Sequence, residues 1–198
     1  MRPVRPRARP GDVRVRRFRP SDVGLFCDYF FRSPPAFLHG LGLLPFPPGE
    51  EKRRRARWAE TFRLARQGKE RIRVLTVLYR GRPVGIHPLT DLVESRSGVM
   101  HAHFFRPQDR GRGIGRISYV KAMSRYLREF GLREIRFQSP THNPAPLRIK
   151  EVLGLRPVGT CVYKSPLVRA GLRARVFQVR RAELPAVARR VGVRVRAF

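Results

Sequence analysis

The chain has few acidic residues, few lysines and almost no cysteine. Among its 198 residues, 14 Asp and Glu stand against 44 Lys and Arg. The two cysteines, Cys27 and Cys161, lie far apart and outside any metal-ligand spacing, so we expect neither disulfides nor a metal site. No apolar run approaches the roughly 20 residues of a membrane-spanning helix, since even residues 38–48 are interrupted by Gly and Pro. We therefore expect a cytoplasmic protein with no membrane partner.

The positive charge comes almost entirely from arginine. The formal net charge is +30, and the chain has only five lysines. Arginines concentrate in residues 1–20, 52–57 and 169–196. One explanation is a GC-rich genome, whose codons favour arginine. The other is an anionic partner such as nucleic acid, a ribosome or an acidic peptide, bound in a salt-dependent way. No RNA-binding motif with interleaved aromatic residues accompanies the charge.

Length and hydrophobic periodicity predict one domain of mixed helices and strands. An apolar content of 41% in 198 residues is enough for a single core. Helices are predicted from Ser21, over residues 51–68, over 114–130 and after Asn143, with an irregular segment at 33–50. Strands are predicted over residues 13–19, 72–79, 84–93, 99–105, 135–138, 157–163 and 172–180.

A glycine- and arginine-rich turn joins the fourth predicted strand to the third helix. Residues 105–116 read FRPQDRGRGIGR, with glycines at three alternate positions. Such glycines let backbone N–H groups point into one concavity, and the N-terminus of the helix adds a positive dipole. The spacing fits neither the mononucleotide P-loop nor the dinucleotide fingerprint. The segment predicts a loop that binds phosphate or pyrophosphate, with Arg110, Arg112 and Arg116 as cations.

A second segment has the signals of a capped helix. Asn143 is a good N-cap, Pro144 suits the first helical position, and Gly154 suits the left-handed residue that ends a helix. The sequence after Gly154 is Leu-Arg-Pro-Val-Gly, where a strand is predicted.

Together, the two segments resemble the two landmarks of the GNAT superfamily of N-acetyltransferases. The first landmark is R/Q-x-x-G-x-G/A, here residues 110–115; the second is a helix that opens at an Asn and ends in a Leu-Gly-Phe-like tripeptide, here residues 143–155. The resemblance extends over residues 13–180. It implies an α/β (α+β) fold with a mixed, mostly antiparallel sheet of about seven strands, split between the fourth and fifth, and about four flanking helices. Residues 1–12 then form a basic tail and residues 181–198 a basic C-terminal extension.

The resemblance also implies an activity. GNAT enzymes transfer an acetyl group from acetyl-CoA to a primary amine of a peptide, a protein or a small molecule, without a metal. The implied coenzyme contacts are Phe104, Phe105, Arg106, Arg110, Gly111, Arg112, Gly113, Ile114, Gly115, Arg116 and Asn143. The alternative hypothesis is a non-catalytic module of the same fold that uses its basic surface on nucleic acid or a ribosome. The acceptor and the oligomeric state, including a homodimer, stay open.

The residues for proton transfer depart from the family pattern. GNAT enzymes that modify ribosomal-protein N-termini carry a Glu five residues before the helix-opening Asn; here that residue is Gln138, which cannot accept a proton. His101 and His103 are two apart on the fourth strand, so both face one side of the sheet and are candidate bases. Equally, the pair could be structural. His87, on the neighbouring strand, is a weaker candidate.

The thiolate that leaves in the reaction also needs a proton. Many family members supply it from a Tyr seven residues after the helix-opening Asn, and here that residue is Lys150. A lysine could serve if burial lowered its pKa, but we expect Lys150 to be a surface cation. The other candidate donors are Tyr119, Tyr126 and Tyr163. The resemblance places the acceptor beside the first two helices and the loop 164–171, where Phe37, His39, Phe46 and Trp58 either line a pocket or belong to the core.

Overall fold

The computed structural model describes residues 7–44, 46–163, 168 and 170–195. Within these residues eight strands occur: β1 Val13–Arg17, β2 Arg73–Tyr79, β3 Arg82–Val93, β4 Ser97–Met100, β5 His103–Phe104, β6 Glu134–Pro140, β7 Pro157–Val162 and β8 Arg173–Arg180. The α-helices of the same residues are α1 Val23–Phe31, α2 Pro35–Gly40, α3 Glu51–Arg66, α4 Ile114–Glu129, α5 Pro144–Val152 and α6 Leu184–Arg190.

The strands form one mixed, mostly antiparallel sheet, as predicted. Its order is β1-β2-β3-β4-β6-β8-β7, with β5 paired to β3, and β4 and β6 form the parallel pair. This parallel ladder runs only from Ser97 to Val99 on β4. Beyond it β5 stays on β3, while β6 continues to Pro140 along β8. The sheet is therefore split between β4–β5 and β6, which is the predicted split between the fourth and fifth strands.

The fourth predicted strand, residues 99–105, is broken into β4 and β5. His101 donates its N–H to the carbonyl of Pro88 on β3 at 2.8 Å. A regular antiparallel pair would return a second hydrogen bond from residue 88, but proline has no N–H. The ladder is interrupted there, and pairing with β3 resumes at His103.

The two faces of the sheet are covered by different helices. The central helix α4 buries the apolar positions that its periodicity predicts, among them Ile114, Ile117 and Val120, and Gly131 ends it with φ +64°. The other face packs against α1 and α3 through an aromatic cluster of Phe18, Phe26, Phe30, Trp58 and Phe62. The expectation of an irregular segment at residues 33–50 is wrong at α2, because Pro35 at the first helical position favours a helix start.

Chain on both sides of residues 13–180 packs against this core. Ala8 is buried, and α6 contributes Leu184 and Ala188 to the cluster beneath α4. The division at residues 12 and 181 remains a prediction. In the described part of the chain, no helix is both long enough and apolar enough to span a bilayer.

A buried carboxylate joins β1, β2 and the start of α1. Asp22 is 1% exposed and accepts hydrogen bonds from Arg16 at 2.6 and 2.8 Å and from Thr76 at 2.7 Å. We expect Asp22→Ala to lower the free energy of unfolding by about 3 kcal/mol, because it leaves buried donors without an acceptor. Urea unfolding measures this. Asp28→Ala is the matched control: it removes an exposed ion pair to Arg55, which should cost less than about 1 kcal/mol. Equal losses would contradict the role of Asp22.

Candidate functional site

The glycine-rich loop takes the conformation that its sequence predicts. Gly111 and Gly113 have φ of +72° and +80°, and Gly113 is the N-cap of α4. A Cβ at residue 113 would lie 3.2 Å from Arg116 Nε. Because the first N–H groups of a helix have no intrahelical acceptor, the loop presents donors at the positive end of α4.

Two arginines of this loop have an unsatisfied donor. The Nε atoms of Arg112 and Arg116 are buried and have no hydrogen-bond partner in the described structure. The rest of the Arg112 guanidinium lies over the ring of Tyr79 and donates to its hydroxyl at 3.1 Å. A buried donor without an acceptor costs about 1–3 kcal/mol, so the loop is suited to an anionic ligand.

Arg110 points away from the two orphaned donors. Its guanidinium lies 4.1 Å from the ring centroid of Phe37 and donates to the carbonyl of Phe104 at 3.1 Å. The side chain therefore contacts α2, on the face of the sheet that carries α1. The backbone of Arg110 still belongs to the loop.

Two contacts that the sequence analysis missed fix the loop in place. Asp109 is 1% exposed and accepts a hydrogen bond from Arg82 at 2.6 Å. Ala8 donates its N–H to the carbonyl of Arg112 at 2.8 Å. Neither pairing has a local sequence signal, because the partners are distant in the chain.

The first turn of α4 lies beside β5, since a Cβ at Gly115 would lie 3.7 Å from the ring of Phe104. Tyr163 crosses the split in the sheet. The hydroxyl of Tyr163 donates to the carbonyl of Gln138 on β6 at 3.0 Å and lies 3.4 Å from His101 Nδ1 on the other side. Burial raises the pKa of Tyr163 to about 12, so the hydroxyl keeps its proton at neutral pH. Tyr163 therefore connects the two sides of the split.

His101 and His103 lie on the face of the sheet that carries α1. His101 Nε2 is 3.0 Å from Thr90 Oγ1, and His103 Nδ1 is 3.4 Å from the hydroxyl of Tyr29. Burial lowers the pKa of His101 to about 4 and that of His103 to about 3. Both imidazoles are therefore neutral at pH 7. Asp91, which favours the charged form of His101, opposes this effect.

His87 lies on the opposite face, under α4. It is fully buried, with Nε2 2.9 Å from Ser118 Oγ and Nδ1 3.0 Å from the carbonyl of His101. Both ring nitrogens are thus engaged, and His87 links β3, the strand of His101 and α4.

The expectation that Lys150 is a surface cation is wrong. Lys150 is 2% exposed; its Nζ donates to the hydroxyl of Tyr119 at 2.9 Å and lies 4.3 and 4.8 Å from the ring centroids of Tyr119 and Phe137. No carboxylate forms an ion pair with it in the described part of the chain. Burial lowers the pKa of Lys150 to about 7. The spacing of Lys150 and the buried Leu153 places both on the inner face of α5, a signal that could have found it.

The remaining candidates have structural contacts. Asn143 caps α5 by accepting the N–H of Ala145 at 3.2 Å, as predicted. Phe46 and Trp58 pack in the aromatic cluster under α1. Of the loop 164–171, residues 164–167 and 169 lie outside the described residues, so its predicted contact with the acceptor stays a prediction, as does the absence of a metal.

The fold has counterparts among solved structures, although no protein-family model and no curated protein matches the sequence. RimJ from Mycobacterium smegmatis, in complex with CoA-disulfide, has a TM-score of 0.72 and 17% identity over 91% of this chain and 88% of its own. The ribosomal-protein-S5-alanine acetyltransferase of Vibrio fischeri has a TM-score of 0.65 and 14% identity over 85% and 93%. Spermidine N-acetyltransferase SpeG of Vibrio cholerae has a TM-score of 0.67 and 12% identity over 88% and 96%.

These neighbours are GNAT acetyltransferases. The chain has their fold, and the resemblance found in its two sequence segments is confirmed at that level.

The lowered pKa of His87 is expected to make the folded chain less stable at acidic pH. Burial lowers its pKa to about 4, below the value of about 6.5 in an unfolded chain. As the pH falls from about 6.5, the unfolded chain takes up the proton first, so the folded state loses stability until the pH reaches about 4. We expect His87 to account for about 2 kcal/mol of the stability lost between pH 7 and pH 5, measured by urea unfolding.

His87→Gln provides the comparison, since glutamine can hydrogen-bond to Ser118 but does not titrate. Its free energy of unfolding should fall less than that of the unmodified chain between the same two pH values. The same pH dependence in both proteins would mean that His87 binds protons equally in the folded and unfolded states.

Proposed function

We propose that this chain is an N-acetyltransferase that moves an acetyl group from acetyl-CoA to a primary amine. One observation carries the proposal. The loop that leads into α4 has two buried guanidinium N–H groups without a hydrogen-bond acceptor, and it lies at the N-terminus of that helix, beside the split sheet. The fold of the chain is that of acetyltransferases, and RimJ among its neighbours was solved with a CoA derivative. We also propose a cytoplasmic location, in keeping with two free cysteines.

The residues present fit the coenzyme. The N–H groups of residues 112–116 and the orphaned Nε atoms of Arg112 and Arg116 would hold the pyrophosphate. The main chain of residues 104–106, on the side turned away from β3, would hold the pantetheine arm in the split as a neighbouring strand does. The coenzyme supplies the acetyl group as a thioester.

The acceptor amine must lose a proton before it can attack. An alkylamine with a pKa near 10.4 is almost wholly protonated at pH 7. We assign proton acceptance to His101 and His103, which are neutral at pH 7 and lie together on one face of the sheet. Because burial lowers their pKa, each is a weak base, and the site favours amines whose ammonium form gives up its proton readily.

Lys150 supplies the acid in this proposal. Its Nζ lies against Phe137 on one side of the split, and its charge is felt by His101 on the other. With a pKa of about 7, the ammonium can give its proton to the departing sulfur and regain one from water. Tyr119 holds the amine in position through its hydroxyl.

The alternative of a non-catalytic module explains the arginine excess but none of these features. The neighbouring structures carry two unlike acceptors in their names, a ribosomal-protein alanine and spermidine. The fold therefore does not assign the acceptor. A structure of SpeG is dodecameric, so this fold can assemble into oligomers. For this chain we propose a homodimer.

The coenzyme site is tested by Gly113→Glu. A glutamate there places a side chain against Arg116 and a negative charge in the loop, so we expect acetyl-CoA affinity to fall at least about 100-fold by isothermal titration calorimetry. Gly49→Glu is the matched control, because Gly49 has φ +79°, is exposed and lies in the turn before α3. Unchanged affinity in Gly113→Glu would overturn the assignment, and RNA binding without coenzyme binding would favour the alternative.

Lys150→Met tests the acid. Methionine keeps the packing but not the amine, so we expect kcat to fall about 100-fold with acetyl-CoA affinity within about threefold of the original. The decline of kcat above pH 7, caused by loss of the Lys150 proton, should disappear. Lys121→Met is the control: Lys121 is half-buried and donates to the carbonyls of Pro10 and Val13, so its loss should affect stability only. A decline of kcat above pH 7 that persists in Lys150→Met would exclude Lys150 as the acid.

A further inference from the structure

Most carboxylates of this chain are already paired. Of its 14 acidic residues, nine lie within 4 Å of an arginine nitrogen: Asp12, Asp22, Asp28, Glu50, Glu51, Glu60, Asp109, Glu129 and Glu134. Few negative charges are left to attract a cation, whereas many arginines in the described part of the chain have no carboxylate partner. The long-range field of the protein therefore favours anions.

Beside His101 and His103, too, positive charge is less fully paired than negative charge. Arg110 lies near Tyr29, which contacts His103, and has no carboxylate partner among the described residues. The carboxylate that influences His101 is Asp91. A polyamine needs several carboxylates to replace the water around its charges, and of the described residues Asp91 is the carboxylate that influences His101.

A polar strip leads away from the histidines. Because Phe137 and Phe177 face the core, their neighbours on β6 and β8 point to the opposite face of the sheet. The strip consists of Glu134, Arg136, Gln138, Val176, Gln178 and Arg180, which pair across the two strands. Arg136 and Arg180 are exposed, and Glu134 is half-buried under its ion pair with Arg136. Tyr163 connects the Gln138 end of the strip to His101.

We infer that the acceptor is the N-terminal α-amine of an acidic polypeptide, which lies along this strip with its amine at His101 and His103. The inference rests on the proposed function. An α-amine has a pKa of about 8, against about 10.4 for lysine, so it suits weak bases. Acidic side chains behind it meet Arg180, and they reach Arg136 in competition with its ion pair to Glu134. RNA would share the attraction to arginine but carries no aliphatic amine to acetylate.

The experiment measures kcat/KM for four acceptors with acetyl-CoA. Two short peptides share the same first residue and length, one followed by Asp and Glu and the other by Arg, which keeps its positive charge and has no aliphatic amine to acetylate. A third is the acidic peptide with a blocked N-terminus and one internal lysine, and the fourth is spermidine. We expect the free acidic peptide to exceed each of the others at least about 10-fold at low salt, and the advantage over the basic peptide to shrink as salt screens the charges.

A pair of matched double variants tests the strip. Arg136→Gln with Arg180→Gln should reduce the preference for the acidic over the basic peptide at least about threefold. Arg57→Gln with Arg63→Gln removes the same charge from exposed positions of α3, where Arg63, like Arg136, is paired with a nearby glutamate, Glu60; it should change the preference less than about twofold. Equal effects would mean that only net charge matters, which overturns the strip as the docking surface.

The outcomes distinguish failure of the acceptor class from failure of the proposed function. Preference for spermidine, for the basic peptide or for the internal lysine overturns the acceptor class while the acetyltransferase stands. If no amine is acetylated and acetyl-CoA does not bind, the proposed function itself fails. RNA that competes with the acidic peptide, without itself being modified, is expected, because both would occupy the same arginines.

Discussion

The sheet is split because β5 and β6, which would be neighbours in a continuous sheet, form no ladder with each other in the described structure. β5 stays on β3 and β6 stays on β8, so among the described residues each strand has one edge without a ladder beyond Val99. In a sheet interior such edges are costly unless another group pairs with them. Pro88 contributes, because it interrupts pairing at the point where the strands separate. The first turn of α4 lies beside β5, so helix N–H groups without an intrahelical acceptor and a strand edge without a neighbouring strand lie close together.

The groups around this split are costly to bury. Lys150 has no counter-charge among the described residues, two arginine Nε atoms have no acceptor, and three histidines are held neutral. A chain selected for stability alone would replace such groups with apolar ones. In the Asp22 network, by contrast, the buried carboxylate accepts hydrogen bonds from Arg16 and Thr76. The unsatisfied groups thus lie beside the loop and the split and not at the Asp22 network, as expected for a site that gains by binding a ligand.

Some features of the site could be predicted because one residue type determines them. Glycine at 113 is required by a left-handed N-cap, and Asn143 caps α5 with its own side chain, so both are visible in local sequence. Tyr163 and Lys150 are different, since their roles depend on which strand or helix lies opposite them. The prediction that Lys150 is exposed was wrong because it rested on charge. In a chain with net charge +30 a lysine is expected at the surface, and only the helical spacing to Leu153 opposed that expectation. α2 was missed because Pro and Gly signals mark both loops and helix ends.

The arginine excess can be compositional in origin and still have a physical consequence. Whatever selected them, arginines fill the ion pairs of nine carboxylates and leave the rest of the surface positive, so any cationic acceptor approaches against the field. At the site, neutral histidines make strongly basic amines poor acceptors, while the strip on β6 and β8 offers arginine and amide side chains to an extended chain. The positive electrostatic field, the weak basicity of the histidines and the strip on β6 and β8 arise from different residues. Their agreement on a weakly basic amine carried by an anionic polypeptide gives the inference a basis that composition alone does not.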